Sequence, residues 1–284
     1  MIPVSFAYAR AASLKEALKA LAEGDGTKVI AGGHSLLPMM KLRLAQPARL
    51  LDISHLDDLK GIEEHRKGAR IGAGSTYREL LDSKVLRERF PIIAECTAQI
   101  GDVQVRNRGT LGGALAHADP ASDMPAVMLV LDAEFVLRSR FKKRSVPARE
   151  FFEGPFATAM AENELLTEIV LPRPPRGGGM AYVSYPQAAS GYAIAAAAAV
   201  VGRSRKTISH IRVATTGIGD VSRLVASMEA LVGTKAGPEE IRTAALTSTD
   251  GVDVQGDVHA PAGYRRHLAT VAVREAVERA IART

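Results

Sequence analysis

The sequence has 284 residues, 46% of them hydrophobic and 24% charged, enough for one large unit or two ordinary ones with separate cores. No apolar run approaches the ~20 residues a membrane-crossing helix needs, and a single cysteine excludes an internal disulfide, an iron–sulfur cluster or a structural zinc in this chain. The net charge of +6 admits an acidic partner or nucleic acid, but the basic residues are not interleaved with aromatics and tryptophan is absent, which weighs against nucleic acid. The first residues show no charged segment followed by an apolar one, so a cytoplasmic location is expected.

Ser13-Leu14-Lys15-Glu16 has capping-box spacing, and Leu14, Ala17, Leu18 and Leu21 recur at helical intervals after it. A short strand at 28–31 feeds a first glycine turn, Ala31-Gly32-Gly33-His34-Ser35-Leu36. A helix is predicted over 36–44 and a strand over 49–53. A second unit opens with a strand at 69–74. Thr76-Tyr77-Arg78-Glu79 repeats the capping-box spacing, and a further helix is predicted over 90–100, with Pro91 in its first turn. That helix holds Cys96, which reads as a small buried hydrophobe. A second glycine turn runs from Arg106 to Gly113 and leads to Asp119-Pro120 and Asp123. A helix over 124–131 and strands at 134–138 and 165–171 follow. The basic cluster Arg138, Arg140, Lys142, Lys143, Arg144 and Arg149 reads first as a solvated hairpin tip, with a docking patch for an acidic subunit as the alternative.

The prolines and glycines of 172–179 cannot form a regular element and mark a linker. Beyond it, strands are expected at 182–185, 193–201 and 208–216, and helices at 221–231, 238–246 and 264–282. Strands followed by helices indicate an α+β layer. Glycine turns expose main-chain amides as anion-binding concavities, and two of them point to a long ligand with a phosphate linkage. Neither turn matches the G-x-G-x-x-G dinucleotide fingerprint or a phosphate loop of the G-x-x-x-x-G-K-[ST] kind.

Five segments in order resemble the medium, FAD-binding subunit of molybdenum hydroxylases. They are the first turn through Lys41, the run from Arg106 to Asp123, the strand Glu164-Leu165-Leu166-Thr167-Glu168-Ile169, Ser190-Gly191-Tyr192-Ala193, and Gly263-Tyr264-Arg265-Arg266-His267-Leu268. The resemblance implies an α+β fold: a two-part FAD-binding domain of the vanillyl-alcohol-oxidase/PCMH type over 1–175 (parts at about 1–56 and 57–175), then a smaller domain over 176–284. It implies that Val29, Ile30, Ala31, Gly32, Gly33, His34, Ser35 and Leu36 wrap a pyrophosphate with amides, and that Thr110, Leu111, Gly112, Gly113 and Ala114 supply a second cradle, the Thr110 hydroxyl donating. By the same resemblance Ile100 and Leu166 pack on the cofactor, Asp123 accepts its hydroxyls and Tyr192 lies near the ring. No side chain is assigned as a catalytic acid, base or metal ligand. Molybdopterin and 2Fe-2S clusters are expected in separate large and small subunits, in a hetero-oligomer that a dimer of heterotrimers would satisfy. Some members carry a lysine where this chain has Tyr185-Pro186-Gln187. The rival readings are a self-sufficient flavin oxidase and a non-catalytic subunit that has lost FAD.

Overall fold

The computed structural model describes residues 2–65 and 67–284. The chain starts with β1 (Ala7–Arg10), α1 (Leu14–Ala22), β2 (Thr27–Ile30), α2 (Leu36–Lys41) and β3 (Arg49–Asp52). The strands form a parallel sheet in the order β1-β3-β2. Ser13 Oγ caps α1 by accepting the Glu16 amide at 3.2 Å, while Glu16 Oε2 reaches past the cap residue to accept the Ala12 amide at 2.7 Å. The apolar stripe of α1 packs on Leu51 and Ile53 of the sheet region. Helix α2 stops short of the predicted 36–44: Arg43 turns left-handed (φ 62°) and the Leu44 amide returns to the Met39 carbonyl at 2.9 Å.

The next segment comprises β4 (Ile62–His65), β5 (Gly68–Gly72), α3 (Tyr77–Asp82), α4 (Lys84–Arg89), α5 (Pro91–Gln99), α6 (Val103–Arg108), α7 (Leu111–His117), α8 (Met124–Val130), β6 (Glu134–Arg138), β7 (Lys143–Pro147), β8 (Phe152–Gly154), β9 (Ala157–Thr158) and β10 (Leu165–Pro172). Five of its strands make one antiparallel sheet, β4-β5-β10-β6-β7. The basic cluster does sit on a hairpin: Arg138 pairs with Lys143 across β6 and β7, and Phe141 at the tip is 84% exposed. Cys96 is fully buried on α5, as its neighbours implied.

The last segment holds β11 (Gly179–Pro186), β12 (Ala193–Ser204), β13 (Thr207–Thr216), β14 (Arg223–Leu224), α9 (Pro238–Leu246) and α10 (Ala262–Ala282). Its sheet runs β11-β12-β13-β14. The alanines of β12 make sense here, because both faces of this strand are covered. Ala196, Ala198 and Val200 face the core built with α5 and α8, while Ala197, Ala199 and Val201 face the core built with α10. Small side chains let both layers approach. Strand β11 begins earlier than predicted, leaving only 173–178 as linker. Gly179 is required at its start, since a Cβ there would meet the Ala280 carbonyl of α10. The predicted helix over 221–231 is instead β14 followed by a 3-10 turn at Ala226–Leu231. Val225, Met228 and Leu231 are all buried and recur every third residue, a spacing that a three-residue turn satisfies better than a 3.6-residue one.

The five-stranded and four-stranded sheets share one core. Met180 and Tyr182 of β11 pack with Phe90, Ile93 and Cys96 around α5. At the same seam Glu95 accepts both the Arg283 guanidinium, at 2.8 and 3.2 Å, and the Tyr182 amide at 3.2 Å.

Candidate functional site

The first glycine turn leaves β2 and enters α2. Gly33 holds φ 76°, a conformation that favours glycine. Among the described residues, no protein acceptor pairs with the amides of Gly32, Gly33, His34, Ser35 or Leu36, whereas the Leu37 amide closes on the Gly33 carbonyl at 3.0 Å. Five successive unspent N–H groups following a strand form a concavity for an anion. Ser35 stands at the N-cap of α2 without capping it, so its hydroxyl is also free of a helix bond. Val29, Ile30 and Ala31 are half-buried behind the turn, and the Ile30 side chain supports Gly33 from below.

The second glycine segment differs from expectation. It is not a loop but two helices, α6 and α7, hinged at Gly109. Asp102 caps α6 by accepting the Val105 amide at 2.8 Å, and Thr110 caps α7 by accepting the Gly113 amide at 3.1 Å. The Leu111 amide donates to Ser75 O at 3.0 Å, Gly112 to Ala73 O at 2.8 Å, and Ala114 to Thr110 O at 3.1 Å. Four of the five amides in the expected second cradle, those of Leu111 to Ala114, are therefore spent inside the protein. Leu111 and Gly112 are buried; a Cβ on Gly112 would lie 2.7 Å from Ala73 O. Gly113 is exposed and Ala114 half-buried, while Thr110 is buried with a hydroxyl that only accepts in its cap, leaving its hydrogen unspent.

The two segments touch. A Cβ on Gly32 would meet the Arg108 carbonyl and come within 2.9 Å of Gly109 Cα. Residues about eighty positions apart in sequence thus meet backbone to backbone, and only glycine permits it. A second junction lies nearby. Gly191 (φ 76°) sits 3.8 Å from Gly101 measured at a built Cβ, which brings the turn before Tyr192 against the one after Ile100. That turn is ordered by Gln187, whose amide donates to Tyr192 O at 2.8 Å and whose carbonyl accepts the Gly191 amide at 2.9 Å. Tyr192 is 45% exposed and Ile100 is half-buried.

Asp123 precedes α8 and is buried, with one oxygen accepting the Tyr182 hydroxyl. Burial pushes its carboxyl up to about 6, the Tyr182 hydrogen bond working against that rise and Asp119 adding to it. Burial also raises the Tyr77, Cys96 and Tyr182 groups, so none of them is an ionised nucleophile at neutral pH. His117, at the end of α7 against Phe156, is pulled down by burial, opposed by Asp119. Leu166 is 3% exposed within the shared core, so its side chain is enclosed by protein and any outward contact falls to its main chain. Pro186 ends edge strand β11 where the register to β12 shifts, a place that tolerates a residue without an N–H. Sequence reading placed Gly109 in the second turn but missed Tyr182 and Gly101; the only signal for Gly101 was its glycine identity.

Residues 4–174 match the family described as the FAD binding domain in molybdopterin dehydrogenase, and residues 180–280 match the CO dehydrogenase flavoprotein C-terminal domain. The chain is 38% identical to the carbon monoxide dehydrogenase medium chain of Hydrogenophaga pseudoflava, over 100% of this chain and 99% of that one. The chain belongs to the FAD-binding medium subunits of molybdenum hydroxylases. It is also 36% identical to the glyceraldehyde dehydrogenase medium chain of Sulfolobus acidocaldarius, over 97% of this chain and 98% of that one. The carbon monoxide dehydrogenase structure from Hydrogenophaga pseudoflava superposes with a TM-score of 0.97 at 39% identity, covering 100% of this chain and 99% of its counterpart. Such medium subunits are oxidoreductase components, and neither rival reading of the sequence is favoured.

Proposed function

We propose that this medium subunit holds FAD where the first glycine turn, the α6–α7 hinge and the turn before Tyr192 converge. The observation that carries the reading is the set of five unspent amides at residues 32–36, set directly against Arg108 and Gly109. They suit a pyrophosphate, since main-chain N–H groups bind anions without a bulky side chain. The Thr110 hydroxyl and the outward face of Gly113 lie on the adjoining helix start and extend the cradle. Asp123 suits the cofactor's hydroxyls, and the half-exposed Tyr192 and Ile100 suit a flat apolar ring.

FAD, when bound, supplies the redox chemistry; the chain's residues bind and orient it. No side chain is assigned a catalytic acid or base role. Electrons would arrive from 2Fe-2S clusters of a small subunit, fed by a large molybdopterin-binding subunit that oxidises the substrate, and leave to an external acceptor. This chain's single cysteine cannot hold such a cluster, so those partners complete the reaction. A dimer of such three-chain units in the cytoplasm accords with the reading.

The test is flavin retention. Gly33→Val places a β-branched residue at φ 76° and would strip FAD from the purified subunit while circular dichroism stays native. Wild-type protein carrying no flavin after supply of FAD, or a yellow Gly33→Val protein, would remove the cradle.

A further inference from the structure

Tyr182 lies on β11, in the segment after the linker, yet its fully buried hydroxyl donates to Asp123, just ahead of α8. Two more links cross beside it. The Gly217 amide donates to the Pro120 carbonyl at 3.0 Å, and the Thr216 hydroxyl lies 3.0 Å from Pro120 O and 2.8 Å from Ser122 O. The last sheet therefore grips the 120–123 run at its backbone and at its one buried carboxylate.

We infer that Tyr182 is a positioning residue for FAD: it fixes one oxygen of Asp123 and leaves the other for the cofactor's hydroxyls, so the C-terminal segment takes part in holding the flavin. The inference rests on the reading that Asp123 meets those hydroxyls. A phenylalanine would fill the same apolar space; the hydroxyl is the part that packing does not require. A carboxylate in a dry setting needs a donor to remain ionised, and Tyr182 is the side chain that donates to it. The titratable groups that interact with Asp123 are Tyr77 from α3, Cys96 from α5, Asp119 from the preceding turn, Tyr192 from the β11–β12 turn and Tyr182 itself. Each is neutral when protonated or carries negative charge when ionised, so among these side chains Tyr182 favours the ionised form of Asp123, with the Asp123 main chain adding a second hydrogen bond in the same direction.

The experiment uses the full chain, stripped of flavin and titrated with FAD from about pH 5 to about pH 8, bracketing the Asp123 value of about 6. Tyr182→Phe keeps the ring and removes the donor. Its FAD dissociation constant is expected to rise about tenfold near pH 7. The midpoint of its pH dependence should also move upward, because more Asp123 is protonated. Asp123→Asn should bind FAD weakly with a flat profile across that range, and adding Tyr182→Phe to it should change little. A Tyr182→Phe protein with wild-type affinity and profile would overturn the inference. So would a loss of equal size at every pH and on the Asn background, which marks a packing role alone. Wild-type protein that takes up no FAD at all would instead fail the proposed function, and this inference with it.

Discussion

At the residue scale, the site depends on positions where a side chain is forbidden and one where a charge is confined. Gly32 carries no left-handed strain; its constraint is the Arg108 carbonyl across from it. Gly32→Ala should therefore push the α6–α7 hinge away and cost roughly 1–3 kcal/mol as overpacking, read as a lowered urea midpoint with flavin loss. Asp123 makes the opposite demand. Its folded value of about 6 stands above its ordinary 3.8, so the folded chain holds this proton more tightly than the unfolded one. The contribution to stability is then fully present below about pH 4 and lost as pH rises to about 6, a swing of ~3 kcal/mol. Flavin-free Asp123→Asn protein should lack that decline and be the more stable protein near neutrality, with urea titrations at several pH values as the check.

At the element scale, the start of α7 joins cap to site. Thr110→Val removes the acceptor for the Gly113 amide and should destabilise by about 1 kcal/mol, while Thr110→Ser should restore it; thermal melts with FAD titration separate the cap from cofactor contact. The elements also show what a sequence can and cannot disclose. Helix α1 was legible from its Ser13 cap and apolar spacing, α10 from its length, and the buried strand β12 from its unbroken run of small apolar residues. The turn at residues 31–36 was legible as a turn from its paired glycines, though the contact of Gly32 with the Arg108 carbonyl was not. The segment 106–113 was not, because a glycine that packs against another backbone and one that frees an amide look the same in sequence. The difference lies in Ala73 and Ser75, whose carbonyls take up the Leu111 and Gly112 amides. Strand β4 escaped notice because its exposed, charged residues Glu63 and Glu64 carry no apolar alternation. The tie from Tyr182 to Asp123 spans 59 positions and no local pattern announces it.

At the scale of the whole molecule, the shared core makes the two family-matched regions a single mechanical body. Glu95 accepts Arg283 and the Tyr182 amide at the seam, and Arg212 pairs with Asp132 at 2.9 Å elsewhere along it. Calorimetry should show one cooperative transition; two resolved peaks would contradict the common core. Glu95→Ala should lower that transition by ~1 kcal/mol or more, because it leaves the Tyr182 amide without its acceptor. Cys96 lies within the same seam, 0% exposed, and burial raises its thiol well above the ordinary range. With no other sulfhydryl in the chain, a maleimide dye becomes a stopwatch for that seam. Intact protein should stay unlabelled, each captured fluorophore should record one transient parting of the halves, and saturating FAD should slow the clock.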